Sequence, residues 1–162
     1  MKLLQGVYAA DAIRWMNAAA DTARKAKCLR AKCGSVIVKD GEVIGTGYNA
    51  PPLDAECNRM CNATHTNGKP KYDATCCMHA EWRAILDTLK HNPEKIYGSA
   101  LYFVRVDNTG AVSRSGKPYC TVCSRLALDA GIATFALWHE EGIGEYPTVE
   151  YNTLSYEYRH VA

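Results

Sequence analysis

The sequence predicts a three-layer α/β/α domain built on a central mixed sheet. Two observations carry that expectation. Segments of helical and strand periodicity alternate in the order helix, strand, strand, helix, strand, helix, strand. The 162-residue chain also has a globular composition, with 48% hydrophobic and 22% charged residues. At that length most of the surface of the unfolded chain can be buried, so a single domain over residues 1–162 is expected.

Apolar or small residues at Ala12, Ile13, Met16, Ala19, Ala20 and Ala23 recur at helical spacing, with Lys and Arg on the opposite face, and predict a first helix over 11–30. Residues 34–48 read as a hairpin. Ser-Val-Ile-Val is β-branched and apolar, Asp40-Gly41 is a tight-turn dipeptide, and Glu42 onward resumes a strand. Residues 49–76 are polar, broken by Pro51, Pro52, Gly68 and Pro70, and predict an irregular loop. Ala80, Glu81, Ala84, Ile85, Leu86 and Leu89 then support a helix over 77–91 that stops before Pro93. A strand over 99–106, a turn-rich excursion over 107–117, a helix over 119–130 ended by Gly131, and a buried strand over 132–138 follow. From His139 onward the pattern is aromatic and acidic and fits neither period.

Several function classes are disfavoured at this stage. Gln5, Gly6, Asp11 and Arg14 interrupt the N-terminal apolar residues, so neither a signal-peptide core nor a membrane span is expected, and a cytoplasmic location follows. The formal net charge is +2 and the basic residues are scattered, so nothing electrostatic calls for nucleic acid as a partner. In a reducing compartment, eight cysteines in a chain this short point first to metal ligation.

Chemistry concentrates in two segments, Cys-Met-His-Ala-Glu at 77–81 and Pro-Tyr-Cys-Thr-Val-Cys at 118–123, each predicted at a helix start. Catalytic zinc takes three protein ligands and keeps one position open for water, and His79, Cys120 and Cys123 are a suitable donor set. Cys120 and Cys123, at i and i+3 on a first helical turn, face one way, where the helix dipole favours thiolates. Water held by such an ion becomes acidic, toward a pKa of about 7. Glu81, two residues past His79, can reach that water without binding the metal and is the candidate proton shuttle. Either segment alone is also read as a helix start or a structural metal knuckle; together, in this order, they match the zinc-deaminase signature.

From about Ala23 to Trp138 the chain resembles the deoxycytidylate deaminase branch of the cytidine/deoxycytidylate deaminase superfamily. Beyond the zinc motifs, Cys28-Leu-Arg, Gly34-Ser-Val-Ile-Val-Lys-Asp-Gly, Gly47-Tyr-Asn-Ala-Pro and residues 127–132 look like that branch's segments in the same order. The resemblance implies a cytidine-deaminase-like fold with about five strands, Asn49 hydrogen-bonding the substrate, the Ala80 amide touching the base, and a homo-oligomer with helices packed between subunits. The chain departs from the branch in having Trp82 and Arg83 after the His-Ala-Glu, Ala50 where Gly is usual, Tyr119 between Pro118 and Cys120, and a longer excursion over 107–117. Arg83 or Arg114 is therefore a candidate contact for an anionic group, with solvated surface arginines as the alternative.

Relatives of this kind can carry a second, structural zinc, for which Cys28, Cys57, Cys61, His65, Cys76 and Cys77 are candidates; plain buried thiols are the alternative. Cys33 reads as a core residue. His139, His160 and the tail tyrosines read as packing or surface residues. The leading expectation is a zinc-dependent hydrolytic deaminase of a small cytosine-type nucleotide or nucleoside, releasing ammonia. Its alternatives are a deaminase of another amino-substituted ring such as a purine or pterin, and a non-catalytic zinc-stabilised binding module. An RNA-editing role lacks the basic surface it requires.

Overall fold

The computed structural model describes residues 1–60, 76–114 and 116–158. Along them run β1 (Lys2–Leu3), α1 (Gly6–Ala23), β2 (Lys32–Lys39), β3 (Glu42–Tyr48), α2 (Ala80–His91), β4 (Ala100–Val106), β5 (Val112–Ser113), α3 (Thr121–Asp129), β6 (Thr134–His139), β7 (Gly142–Pro147) and α4 (Thr148–Glu157). The strands form one mixed sheet in the order β1-β7-β6-β4-β2-β3. Only β4 and β6 run parallel, joined through α3; the remaining pairs are antiparallel. The two-residue strands β1 and β5 raise the expected five strands to seven: β1 pairs with β7, and β5 folds back from the excursion onto Arg105 and Val106.

Three layers result. Against one face lies α1, whose Ala12, Trp15, Met16, Ala19, Ala20 and Ala23 pack on Val36, Val38, Tyr102, Val104 and Ile143. Against the other lie α2, α3 and α4, whose Ala80, Ala84, Ile85, Ala127 and Tyr151 pack on Ile37, Leu101, Phe103, Phe135 and Leu137. Each fully buried aliphatic or aromatic side chain contributes on the order of 1.5–3 kcal/mol to holding these layers. Among the described residues no helix is long and apolar enough to cross a membrane.

Small residues let the layers approach closely. A Cβ on Gly34 would lie 2.2 Å from the Ala19 carbonyl oxygen, and one on Gly47 would lie 2.2 Å from the Ala80 carbonyl oxygen. Helix α2 thus rests on β3 backbone to backbone, which places its first turn over the sheet. The β2–β3 hairpin turns at Asp40 and Gly41 with φ of 50° and 76°, the left-handed pair that a two-residue turn requires.

Helix α1 begins at Gly6, five residues before the predicted start, and three further differences from the periodicity have a local reason. Helix α1 stops at Ala23 and not near 30, since the amides of Lys27 and Cys28 bond the Asn49 carbonyl at 3.0 and 3.3 Å instead of continuing the helix. Helix α2 begins at Ala80 and not at 77, since the Met78 amide bonds the Ala50 carbonyl at 2.9 Å and keeps that stretch extended. The tail past His139 forms β7 and α4. The inward residues of α4 are Thr148, Tyr151 and Ser155, so its buried face is polar and aromatic and shows no apolar stripe.

Candidate active site

Two helix N-termini meet at one place. His79 is the residue before the first turn of α2, and Cys120 holds the same position on α3, where its thiol accepts from the Cys123 amide at 3.5 Å. The His79 Nδ1 lies 3.2 Å from the Cys123 Sγ and 3.6 Å from the Cys120 Sγ, and the two sulfurs are 3.1 Å apart. Cys120 and Cys123 are fully buried and His79 is half-buried. The Trp82 ring, one helical turn on, stacks on the His79 imidazole at 4.7 Å and an interplanar angle of 13°.

Electrostatics suit this cluster to a cation. The hydrogen bond from Cys123 draws the Cys120 thiol down to about 4, against burial and with help from His79, so Cys120 is a thiolate at neutral pH. Burial pushes Cys123 well up, leaving its thiol as the donor of the pair. Burial pulls His79 down, but its hydrogen bond to Cys120 and the charge of Glu81 raise it overall. Tetrahedral zinc, with about 2.3 Å to sulfur and about 2.0 Å to nitrogen, sets its donors roughly 3.5–3.8 Å apart. The observed separations of 3.1–3.6 Å lie at or just inside that spacing, so the donor set fits the ion. Among the described residues no other group of three His, Cys, Asp or Glu side chains meets in this way.

Glu81 sits on the first turn of α2, 5% exposed, and burial raises its carboxyl against the opposing charge of His79. Its charge is felt by Cys33 and by Tyr119 as well. A buried carboxylate next to three clustered donors, with a raised affinity for protons, can accept and return a proton near neutral pH.

The family match agrees with this geometry. The pattern of the cytidine and deoxycytidylate deaminase zinc-binding region covers residues 10–138. The chain belongs to the cytidine and deoxycytidylate deaminase family. A deoxycytidylate deaminase of Mycobacterium phage D29 is 32% identical to this family member over 125 residues, which is 73% of this chain and 86% of the phage protein. A deoxycytidylate deaminase of Schizosaccharomyces pombe is 36% identical over 78 residues; that stretch is 45% of this chain and only 24% of the yeast protein's length. The crystal structure of dCMP deaminase from the cyanophage S-TIM5 in complex with dCMP and dUMP aligns with a TM-score of 0.51 at 25% identity, covering 76% of each chain.

The other residues singled out from the sequence of this family member lie partly at this site and partly away from it. Asn49 is buried at the end of β3, where its Oδ1 accepts from the Cys33 amide at 2.8 Å and its Nδ2 donates to the Ala31 carbonyl at 2.7 Å, so it ties the segment before β2 to the site. Of the second-zinc candidates, Cys28, Cys76 and Cys77 gather: the Cys76 and Cys77 sulfurs are 3.9 Å apart, and burial, then Cys28, raises the Cys77 thiol. Cys57 is exposed, and Cys61, His65 and His160 lie outside the described residues. Arg83 lies over the Tyr48 ring at 4.7 Å and 3.8 Å from Asp54, while Arg114 covers Trp138 at 4.2 Å. Cys33 is buried in the core as expected, and His139 bonds the Tyr146 hydroxyl at 2.8 Å. The periodicity did not single out Arg105, whose Nη2 donates to the Tyr119 hydroxyl at 3.4 Å; the available signal was a charge inside the apolar run Ala-Leu-Tyr-Phe-Val-Arg-Val.

Proposed function

We propose that this chain is a zinc-dependent hydrolytic deaminase acting on a small cytosine-type nucleotide such as dCMP, with His79, Cys120 and Cys123 as the metal ligands and Glu81 as the proton shuttle. The observation that carries the reading is the burial of Glu81 beside three mutually close donors at two helix N-termini. Relatives named as deoxycytidylate deaminases, and a similar structure described with dCMP and dUMP, support the substrate class.

Zinc, when bound, supplies the Lewis acidity that makes water a nucleophile near neutral pH. The chain's own groups carry the protons. The Glu81 carboxylate takes one proton of the water as its oxygen adds to the ring carbon bearing the amine, and passes that proton to the ring nitrogen. It then takes the remaining hydroxyl proton and passes it to the departing amine, so that dCMP and water become dUMP and ammonia. Its burial holds the carboxyl above the usual carboxylate range, which is what lets one group serve as base and then acid. The amide of Ala80, on the first turn of α2, has no intrahelical acceptor and is free to donate to the base. Asn49, just past β3, would hydrogen-bond the substrate through the second proton of its Nδ2, the first being held by the Ala31 carbonyl.

The deciding experiment measures ammonia release from cytosine and purine nucleosides and nucleotides by wild type and Glu81→Gln. Loss of the shuttle should lower kcat about 10²- to 10⁴-fold while zinc stays bound. Undiminished turnover in the variant would remove Glu81 from the mechanism, and preferred turnover of a purine would replace the substrate class. Elemental analysis of the same samples gives zinc per chain: one for this site, two if the Cys28, Cys76 and Cys77 region and its partners hold a second ion. We further infer a homo-oligomer, supported by Leu86, Leu89, Leu126, Leu128, Val149 and Tyr156 exposed on α2, α3 and α4. A monomeric mass by light scattering would overturn it.

A further inference from the structure

Among the described residues, Arg105 stands beside this site with no carboxylate at salt-bridge distance. On β4, Leu101 and Phe103 face the α2–α4 layer whereas Tyr102, Val104 and Val106 face α1. Side chains alternate along a strand, so Arg105 shares the face of Phe103, the one that carries the site. In the sheet register Arg105 stands opposite Cys33, whose amide is held by Asn49. Arg105, Cys33 and Asn49 therefore form a row across three adjacent strands at the edge of the site. The guanidinium donates to the hydroxyl of Tyr119, the residue directly before the metal-ligand candidate Cys120.

Neither contact neutralises Arg105. A phenol such as that of Tyr119 is uncharged at neutral pH, with an ordinary pKa of about 10, and burial pushes the Cys33 thiol up to about 12, so neither carries a charge. Among the described residues no carboxylate lies within salt-bridge distance of Arg105. The other arginines considered as anion contacts are engaged: Arg83 lies against Tyr48 and Asp54, and Arg114 covers Trp138. Glu81 is buried, whereas Arg105 is open to solvent. That arrangement suits a substrate whose ring is enclosed and whose charged group stays at the rim. A planar guanidinium with free N–H groups is the side chain best matched to phosphate oxygens, which it can take in bidentate fashion.

We propose that Arg105 receives the phosphate of the nucleotide substrate, that Tyr119 is a positioning residue which holds the guanidinium toward it, and that this pair makes the enzyme prefer nucleotide to nucleoside. The proposal rests on the cytosine-nucleotide deaminase reading above. It also accounts for Tyr119, the residue inserted between Pro118 and Cys120: the phenol reaches β4 from the start of α3, which a bare turn would not.

The test compares dCMP with deoxycytidine as substrates of the zinc-loaded wild type, Arg105→Gln, Arg105→Lys and Tyr119→Phe. Arg105→Gln should raise KM for dCMP about 10- to 100-fold, the range for losing a charge-assisted hydrogen-bonded contact, with kcat within about twofold. Its deoxycytidine kinetics should not move, which also shows that the variant is folded. Arg105→Lys should recover part of the dCMP affinity, and Tyr119→Phe should raise KM for dCMP by a smaller factor, about threefold. Equal losses on both substrates in Arg105→Gln, or an unchanged KM for dCMP, would overturn the proposal. Wild type that handles deoxycytidine as well as dCMP would also overturn it while leaving the deaminase intact. Wild type inert toward both would overturn the underlying function and this proposal with it.

Discussion

At the scale of single residues, Asp54 shows how a charge can brace the site from outside it. Its carboxylate accepts from the Tyr48 hydroxyl at 2.7 Å and meets Lys27 at 3.1 Å and Arg83 at 3.8 Å, so it joins the end of β3, the segment after α1 and the second turn of α2. The Tyr48 hydrogen bond, aided by Lys27, holds the Asp54 carboxyl below its usual value of 3.8. A carboxyl with a depressed folded-state pKa contributes stability that is fully present above the unfolded value and is lost as pH falls through the folded one. Tyr48→Phe should therefore unfold at a lower temperature than wild type at pH 6–7, and the gap should close as pH falls below 3.8 toward the folded value. Thermal melts across that range check this; a gap that widens in acid would reverse the assignment. The residues proposed to hold the chemistry were legible for a related reason. Metal and proton chemistry demand particular side chains at short local spacings, and His79, Glu81, Cys120 and Cys123 come in two such runs. Arg105 was not legible, because what makes it notable is the absence of a carboxylate and a phenol fourteen residues away.

At the scale of elements, the glycines separate what supports the fold from what supports the site. Gly47 has no room for a Cβ, which would lie 2.2 Å from the Ala80 carbonyl oxygen and 2.3 Å from the Ala84 amide; Gly34 is equally crowded against Ala19 and Ala23 of α1. The atoms in the way are backbone, so relief requires a helix to shift, and overpacking of this kind costs typically about 1–3 kcal/mol. Both Gly34→Ala and Gly47→Ala should lower the melting temperature. Only Gly47→Ala moves α2, which carries His79 and Glu81, so only it should also weaken zinc affinity and kcat. Melts paired with zinc titration check the difference, and equal metal affinity in the two variants would mean that α2 keeps its first turn in place despite the added methyl. Core elements with clear periods, such as the β2–β3 hairpin and α2, were readable in the sequence. Helix α4 was not, because Ser155 bonds Ser124 in its interface at 3.1 Å and Tyr151 stacks on Phe135 at 3.9 Å, a polar and aromatic contact that leaves no apolar stripe.

At the scale of the whole molecule, the proposed ligand cluster is also a crosslink. The only parallel pair in the described sheet, β4 and β6, is bridged by α3, while α2 is carried by β3, two strands away in the sheet order; His79 and the two cysteines join these halves at their helix N-termini. Without an ion, a thiolate at Cys120, a buried thiol at Cys123 and a buried carboxylate at Glu81 crowd one place, and the charges are costly to keep there. A ligand that binds only the folded state adds RT ln(1 + [L]/Kd), about 4 kcal/mol at a thousandfold excess over Kd. For a chain of this size that corresponds to roughly 8–16 °C in melting temperature. Removing zinc with a chelator should therefore abolish turnover and lower the melting temperature by about that much, and readdition of zinc should restore both. Cys123→Ala should melt near the chelated wild type and gain nothing from added zinc. If chelation ended activity with the melting temperature unmoved, the α2 and α3 halves would be held by packing alone, and the ion would serve chemistry without serving the fold.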